Sequence, residues 1–159
     1  MANPYSTPAS NIEKGLASKS TLRAFSQRST LFVVLVSIVT LGIYSIVWAV
    51  SRTKMLNTES TSNPLPISQL ILGWVLIIAS NVPVALAGDQ PNLLLGLLAM
   101  GLSIGGMVFM LMWVFGFRKR LHTLVGISHG DPRWANGFLL FLLNVYYLNY
   151  KINQIKEIS

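Results

Sequence analysis

Long apolar stretches alternate with shorter polar ones along this chain. Three stretches contain no Asp, Glu, Lys, Arg or His, and they cover residues 31–51, 63–88 and 90–117. Each is longer than the roughly 18 residues that a helix needs to cross a bilayer. A shorter apolar stretch follows near the C-terminus. The pattern therefore predicts an all-α integral membrane protein, in which residues 30–159 form a single membrane domain with apolar segments at about 31–50, 67–88, 93–117 and 135–150.

The second and third segments are joined by "GDQPN", a short sequence typical of a tight turn. We therefore expect them to form a central transmembrane helical hairpin. Gly101 and Gly105 lie four residues apart in the third segment, which is a spacing that lets two helices approach closely in lipid. We expect these glycines to pack against the second segment, with packing between two copies of the chain as the alternative.

The first and fourth segments flank this hairpin, and each is predicted either to span the bilayer or to be re-entrant. The first contains "TLGIY" at residues 40–44. If it spans, Gly42 is a helix-packing point; if it is re-entrant, Thr40 and Gly42 lie at the turn of a shallow helical hairpin. In the fourth, residues 138–150 extend only about 20 Å as a helix, which is short of the roughly 30 Å hydrocarbon core. Asn144 and Asn149 also interrupt it, so we favour a re-entrant segment.

The charge distribution bears on this choice. Twelve Lys and Arg oppose five Asp and Glu, a net charge of +7. If all four segments span, six basic residues fall on each side of the membrane. If only the central hairpin spans, all twelve share one side, as expected for the cytoplasmic face. Both termini are then cytoplasmic, and residues 1–29 form a polar tail that we expect to be disordered.

Aromatic and basic residues border the apolar segments. We expect Tyr44, Trp48, Tyr146 and Tyr150 to act as interfacial anchors. Arg118, Lys119, Arg120 and Arg133 are expected to contact lipid head groups or an acidic partner. The first and fourth segments also align weakly, with Tyr44 opposite Tyr146 and Trp48 opposite Tyr150. This alignment suggests two related halves around the central hairpin.

No catalytic chemistry is expected from this sequence. His122, His129 and Asp131 share one loop, but their spacing is not that of a zinc motif and the neighbouring residues are basic. No charged residue lies inside an apolar segment, and no catalytic motif is present. We therefore expect no enzyme activity, no cofactor and no nucleic-acid partner. The chain contains no cysteine, so disulfides are excluded.

The stretch "STLFVVLVSIVTLGIYSIVWAVSRTKMLN" resembles a family of small bacterial membrane proteins, called domain of unknown function four-two-three-four. The resemblance is carried by "TLGIY", Trp48 and Leu56-Asn57. It implies a bacterial inner-membrane location and no established activity. We expect a non-catalytic accessory or scaffold subunit that binds the lipid bilayer and another membrane protein, itself, or anionic lipid. The alternatives are a small oligomeric channel or transporter, and an immunity or resistance protein.

Overall fold

The computed structural model describes residues 28–59, 64–88 and 92–158. The regular structure in these ranges is entirely helical, which confirms the all-α prediction. The predicted disordered tail and most of the "GDQPN" turn lie outside the described residues. In chain order the helices are α1 (Thr30–Val39), α2 (Ile43–Glu59), α3 (Ile67–Ala79), α4 (Asn81–Ala87), α5 (Leu93–Val125) and α6 (Gly137–Ile158).

Two helical stretches are long and apolar enough to cross a membrane. α3 and α4 together span Ile67–Ala87, which is 21 residues, and α5 spans 33 residues; an 18-residue window within each has a mean hydropathy of 2.2. At 1.5 Å per residue, α5 is about 50 Å long. Only 22% of the apolar window in the first and 11% of that in the second are buried inside the protein. Lipid is the environment that suits such exposed apolar helices.

α3 and α5 pack as an antiparallel pair, at a point where their backbones touch. A Cβ atom at Gly106 would lie 2.7 Å from Cγ1 of Ile77 and 2.8 Å from the carbonyl oxygen of Gly73. The close approach is therefore between Gly73 and Gly106. A Cβ at Gly105 would lie 3.7 Å from Leu76, and one at Gly101 would have no neighbour within 4 Å. The predicted spacing thus identifies the right helix, but the helices touch at the adjacent glycine.

The first apolar segment is not one continuous helix. Leu41 and Gly42 have φ angles of 50° and 88°, and they separate α1 from α2. The Thr40 hydroxyl donates to the Val36 carbonyl (2.7 Å) and accepts from the Tyr44 amide (3.0 Å), so it pairs backbone groups at this break. The chain reverses direction at this break, and the Phe32 ring therefore lies 6.0 Å from the Tyr44 ring. We call α1 and α2 the first hairpin.

The fourth segment reverses direction as well. Asn144 has φ 41° and ψ −117°, which divides α6 into two helical parts. The Tyr147 hydroxyl accepts from the Asn136 amide (3.2 Å), and Nζ of Lys151 donates to the Pro132 carbonyl (3.0 Å). Residues after the break therefore lie beside residues that precede it. We call the two parts of α6 the second hairpin.

The two hairpins are joined to each other and to α5 by buried hydrogen bonds. Asn149, fully buried, accepts from Nε1 of Trp48 (3.2 Å) and donates to the Thr30 hydroxyl (3.1 Å). Nε1 of Trp113 on α5 donates to the Thr53 hydroxyl on α2 (3.0 Å). The hydrophobic core lies where the hairpins cover the C-terminal half of α5, and its fully buried residues there include Trp113, Val114 and Phe117.

Candidate functional site

A pocket of about 300 Å³ lies at the C-terminal end of α5, under the loop that leads to α6. We call it the basic pocket. Its lining combines two cations, an imidazole and an indole with uncharged side chains. The lining residues are Phe115, Arg118, Lys119, His122, Thr123, Ile127 and Trp134. No carboxylate is among these described lining residues, so the pocket is complementary to an anion.

Local sequence explains how the loop closes over the helix end. α5 ends at Gly126, whose φ of 71° is the left-handed conformation that glycine adopts without strain. The Ile127 amide then donates to the His122 carbonyl (2.9 Å), and the Ile127 side chain is buried. Burial of this side chain turns the loop back toward α5. A turn closed by the Trp134 amide and the Asp131 carbonyl (2.8 Å) brings the indole over the helix.

The indole of Trp134 organises the pocket. The guanidinium carbon of Arg118 lies 4.8 Å from the centre of the Trp134 ring, within cation–π range. The His122 ring lies 4.4 Å from the same indole, and Nε2 of His122 accepts a hydrogen bond from the Ala135 amide (3.2 Å). Lys119 is exposed beside them. Arg118 is thus held in place, and Lys119 adds a second charge.

The other two predicted contact residues point elsewhere. Arg133 makes a two-pronged ion pair with Asp131, with Nε to Oδ1 at 2.9 Å and a terminal nitrogen to Oδ2 at 2.6 Å. These hydrogen bonds lower the pKa of Asp131 to about 2, so the pair carries no net charge at neutral pH. Arg120 donates to the carbonyls of Gly116 (3.3 Å) and Pro64 (3.4 Å), near the start of α3. Only Arg118 and Lys119 of the four converge.

The predicted aromatic anchors occupy different environments. Trp48 is only 4% exposed and joins the two hairpins. Tyr44 is partly buried just after the first break, and Tyr146 is partly buried just after the second. Tyr150 is 50% exposed and stacks on Tyr147, so it alone of the four presents a largely open ring. The anchor role remains a prediction for all four residues.

Two further residues matter in the structure. The sequence gives no role to Trp134, whereas for Asn149 it favours hydrogen bonding between helices over coordination of a polar solute. Trp134 follows Arg133 at the start of the fourth apolar segment, which is a pattern typical of the membrane interface. Asn149 was noted as an interruption, and a buried polar residue in an apolar segment commonly marks a contact between helices. The histidines considered for metal binding, His122 and His129, both pack against Trp134. No group of three metal-binding side chains forms within residues 28–59, 64–88 and 92–158.

Comparison with known proteins supports the resemblance carried by "TLGIY". Residues 28–123 match the family described as Domain of unknown function (DUF4234). The chain belongs to this family. No curated protein and no solved structure gives a significant match.

The DUF4234 match covers α1 to α4 and most of α5, but it ends before α6. The first hairpin and the α3–α5 contact at Gly73 and Gly106 therefore lie within the matched range. The basic pocket is divided by this boundary: Arg118, Lys119 and His122 lie within the matched range, whereas Trp134 lies beyond it.

Proposed function

We propose that this protein is a non-catalytic integral protein of the bacterial cytoplasmic membrane, and that it binds anionic lipid head groups in the basic pocket. The observation that carries the proposal is the position of Arg118 and Lys119 beside Trp134, at the end of an apolar helix. Phosphate oxygens suit the planar donors of arginine, and an indole suits the interface between head groups and acyl chains.

The proposed topology has two crossings. The α3–α4 stretch and α5 cross the bilayer, while both hairpins enter from the cytoplasmic side and return. The chain reverses at Gly42 and at Asn144. These reversals support the arrangement, because a hairpin that turns back has its start and its end on the same side of the membrane. Both termini and the basic residues are then cytoplasmic, in keeping with the positive-inside rule. Thr40 pairs backbone groups at the first turn, which lowers the cost of a turn within the membrane.

In this function the protein is an accessory or scaffold subunit. A bound anionic lipid fixes its depth, and the exposed apolar faces of the crossing helices are open to another membrane protein or a second copy. Each Lys or Arg near an anionic surface contributes about 1 kcal/mol to membrane affinity. Two converging cations thus give a preference for anionic over zwitterionic lipid of about 2 kcal/mol.

The test compares two double variants that lose the same net charge from the same end of the protein. Arg118→Gln/Lys119→Gln removes both cations of the basic pocket, whereas Arg28→Gln/Lys54→Gln removes two exposed cations outside it. Native mass spectrometry measures retention of phosphatidylglycerol against phosphatidylcholine. We expect about 30-fold weaker phosphatidylglycerol binding in the first variant, from about 2 kcal/mol. Equal losses in both variants would show that only overall charge matters and would refute the pocket.

A further inference from the structure

The two hairpins cover only one end of the α3–α5 pair. All seven buried residues of α5 fall between Gly106 and His122, whereas residues 93–105 include none. Among the described residues, no buried member of the hydrophobic core lies between positions 71 and 109. The other end of the pair is therefore formed mainly by α4 and the first part of α5.

Both chain reversals lie at about the middle of the α3–α4 stretch or before it. A Cβ atom at Gly42 would lie 3.8 Å from Cη2 of Trp74, which is the eighth of the 21 residues in Ile67–Ala87. Asn144 lines a cavity together with Trp74 and Ile77, the eleventh residue of that stretch. α1 has ten residues and is about 15 Å long, which is half of the roughly 30 Å hydrocarbon core. The hairpins thus fit within one leaflet of the bilayer.

Apolar side chains on both hairpins are exposed, as expected for segments that lie among acyl chains. Val39 and Leu41, at the first reversal, are 82% and 93% exposed. Phe138 and Leu142, in the first part of the second hairpin, are 68% and 57% exposed. Such side chains are unfavourable in water and suit lipid. The hairpins therefore displace lipid from the leaflet that they enter.

The molecule is consequently wide in one leaflet and narrow in the other. Among the described helices, six stretches lie on the wide side, namely α1, α2, α3, α5 and the two parts of α6, and two lie on the narrow side, namely α4 and α5. Because each helix is about 10 Å across, the protein occupies roughly threefold more area in the first leaflet. A wedge of this kind fits best where the leaflet around its wide end is expanded, which is the convex side of a curved bilayer.

We propose that this protein favours curved membrane that is convex on its cytoplasmic side, and that it acts on the bilayer as a wedge. Its partner in this role is the cytoplasmic leaflet itself, which the two hairpins expand. At high surface density the same shape bends a flat membrane so that it bulges toward the cytoplasm. The inference rests on the two-crossing topology, and it does not require lipid binding in the basic pocket.

The test measures how the protein distributes between flat and curved membrane. The full chain is reconstituted in giant vesicles of phosphatidylcholine and phosphatidylglycerol, and a narrow tube is pulled outward from each vesicle. The chain has no cysteine, so Thr58→Cys and Asn92→Cys, both at exposed positions, can each be labelled from outside with a membrane-impermeant fluorescent maleimide. The Thr58→Cys label marks molecules whose cytoplasmic side faces outward, and the Asn92→Cys label marks the opposite orientation.

We expect the two labels to distribute in opposite directions, with a lipid dye as the reference for membrane area. The Thr58→Cys label should be enriched in the tube over the vesicle body, and more so as the tube narrows, because the outer leaflet of the tube is the expanded one. The Asn92→Cys label should be depleted from the tube. Equal tube-to-body ratios for the two labels, or enrichment of the Asn92→Cys label, would overturn the inference.

Lipid composition separates the shape of the protein from its proposed binding of anionic lipid. Enrichment caused by shape should persist in vesicles of phosphatidylcholine alone, so enrichment that requires phosphatidylglycerol would also overturn the inference. The topology has its own readout in spheroplasts. If a membrane-impermeant maleimide labels Ser29→Cys there, the two-crossing topology fails and the inference fails with it. Protection of Ser29→Cys together with equal tube-to-body ratios would refute the wedge and leave the topology intact.

Discussion

At the scale of single residues, the α3–α5 contact depends on the absence of a side chain at Gly106. We expect Gly106→Ala to destabilise the protein by about 1–3 kcal/mol, because the new Cβ meets the Gly73 carbonyl oxygen, which belongs to backbone and does not yield easily. Gly101→Ala is the matched control: it adds the same methyl group to the same helix where nothing lies within 4 Å. Thermal unfolding in detergent measures both.

Gly101→Ala should leave the melting temperature unchanged or raise it slightly, since alanine favours helix over glycine by about 1 kcal/mol. A loss of stability equal to that of Gly106→Ala would contradict the contact.

These glycines also show the limit of prediction from sequence at the scale of single residues. Spacing identified Gly101 and Gly105, but the face that α5 turns toward α3 is set by Gly73, a residue far away in sequence.

At the scale of elements, the two hairpins share a buried polar junction at Asn149. We expect Asn149→Leu to cost about 1–3 kcal/mol, because it leaves the buried indole N–H of Trp48 without an acceptor. Trp48→Phe removes that N–H. The double variant should therefore lose less stability than the sum of the two single losses, when unfolding free energies are compared in a double-mutant cycle. Strictly additive losses would mean that this hydrogen bond does not couple the hairpins.

Some features of the hairpins could be predicted from the sequence, and others depend on contacts such as the junction at Asn149. Apolar length predicted all four segments, because length and composition are properties of the chain itself. It left the first segment undecided, since about 20 apolar residues suit a crossing helix as well as a hairpin. The local backbone at Leu41 and Gly42 divides this segment into two helices, and the distant pairing of Trp48 with Asn149 joins it to the second hairpin. The convergence of Arg118 with Trp134 likewise requires the loop fold, which spacing alone does not reveal.

At the scale of the whole molecule, the count of basic residues and the two chain reversals both support the proposed topology with two crossings. The chain has no cysteine, so single cysteines introduced at exposed positions report their side of the membrane without background. Ser29 precedes the first hairpin and Thr58 lies in its last turn, while Asn92 precedes α5 and Thr123 lies near its end. In spheroplasts of a bacterial host, a membrane-impermeant maleimide should label Asn92→Cys alone.

Ser29→Cys, Thr58→Cys and Thr123→Cys should react only after permeabilisation, because α3–α4 and α5 are then the only crossings between residues 29 and 123. The informative pair is Ser29 and Thr58. If α1 and α2 formed a single crossing, these positions would lie on opposite sides, and one would react in intact spheroplasts. The charge bias would then be weaker, since the four basic residues before α1 would lie on the side opposite the other eight. Protection of both positions therefore tests the hairpin and the orientation together.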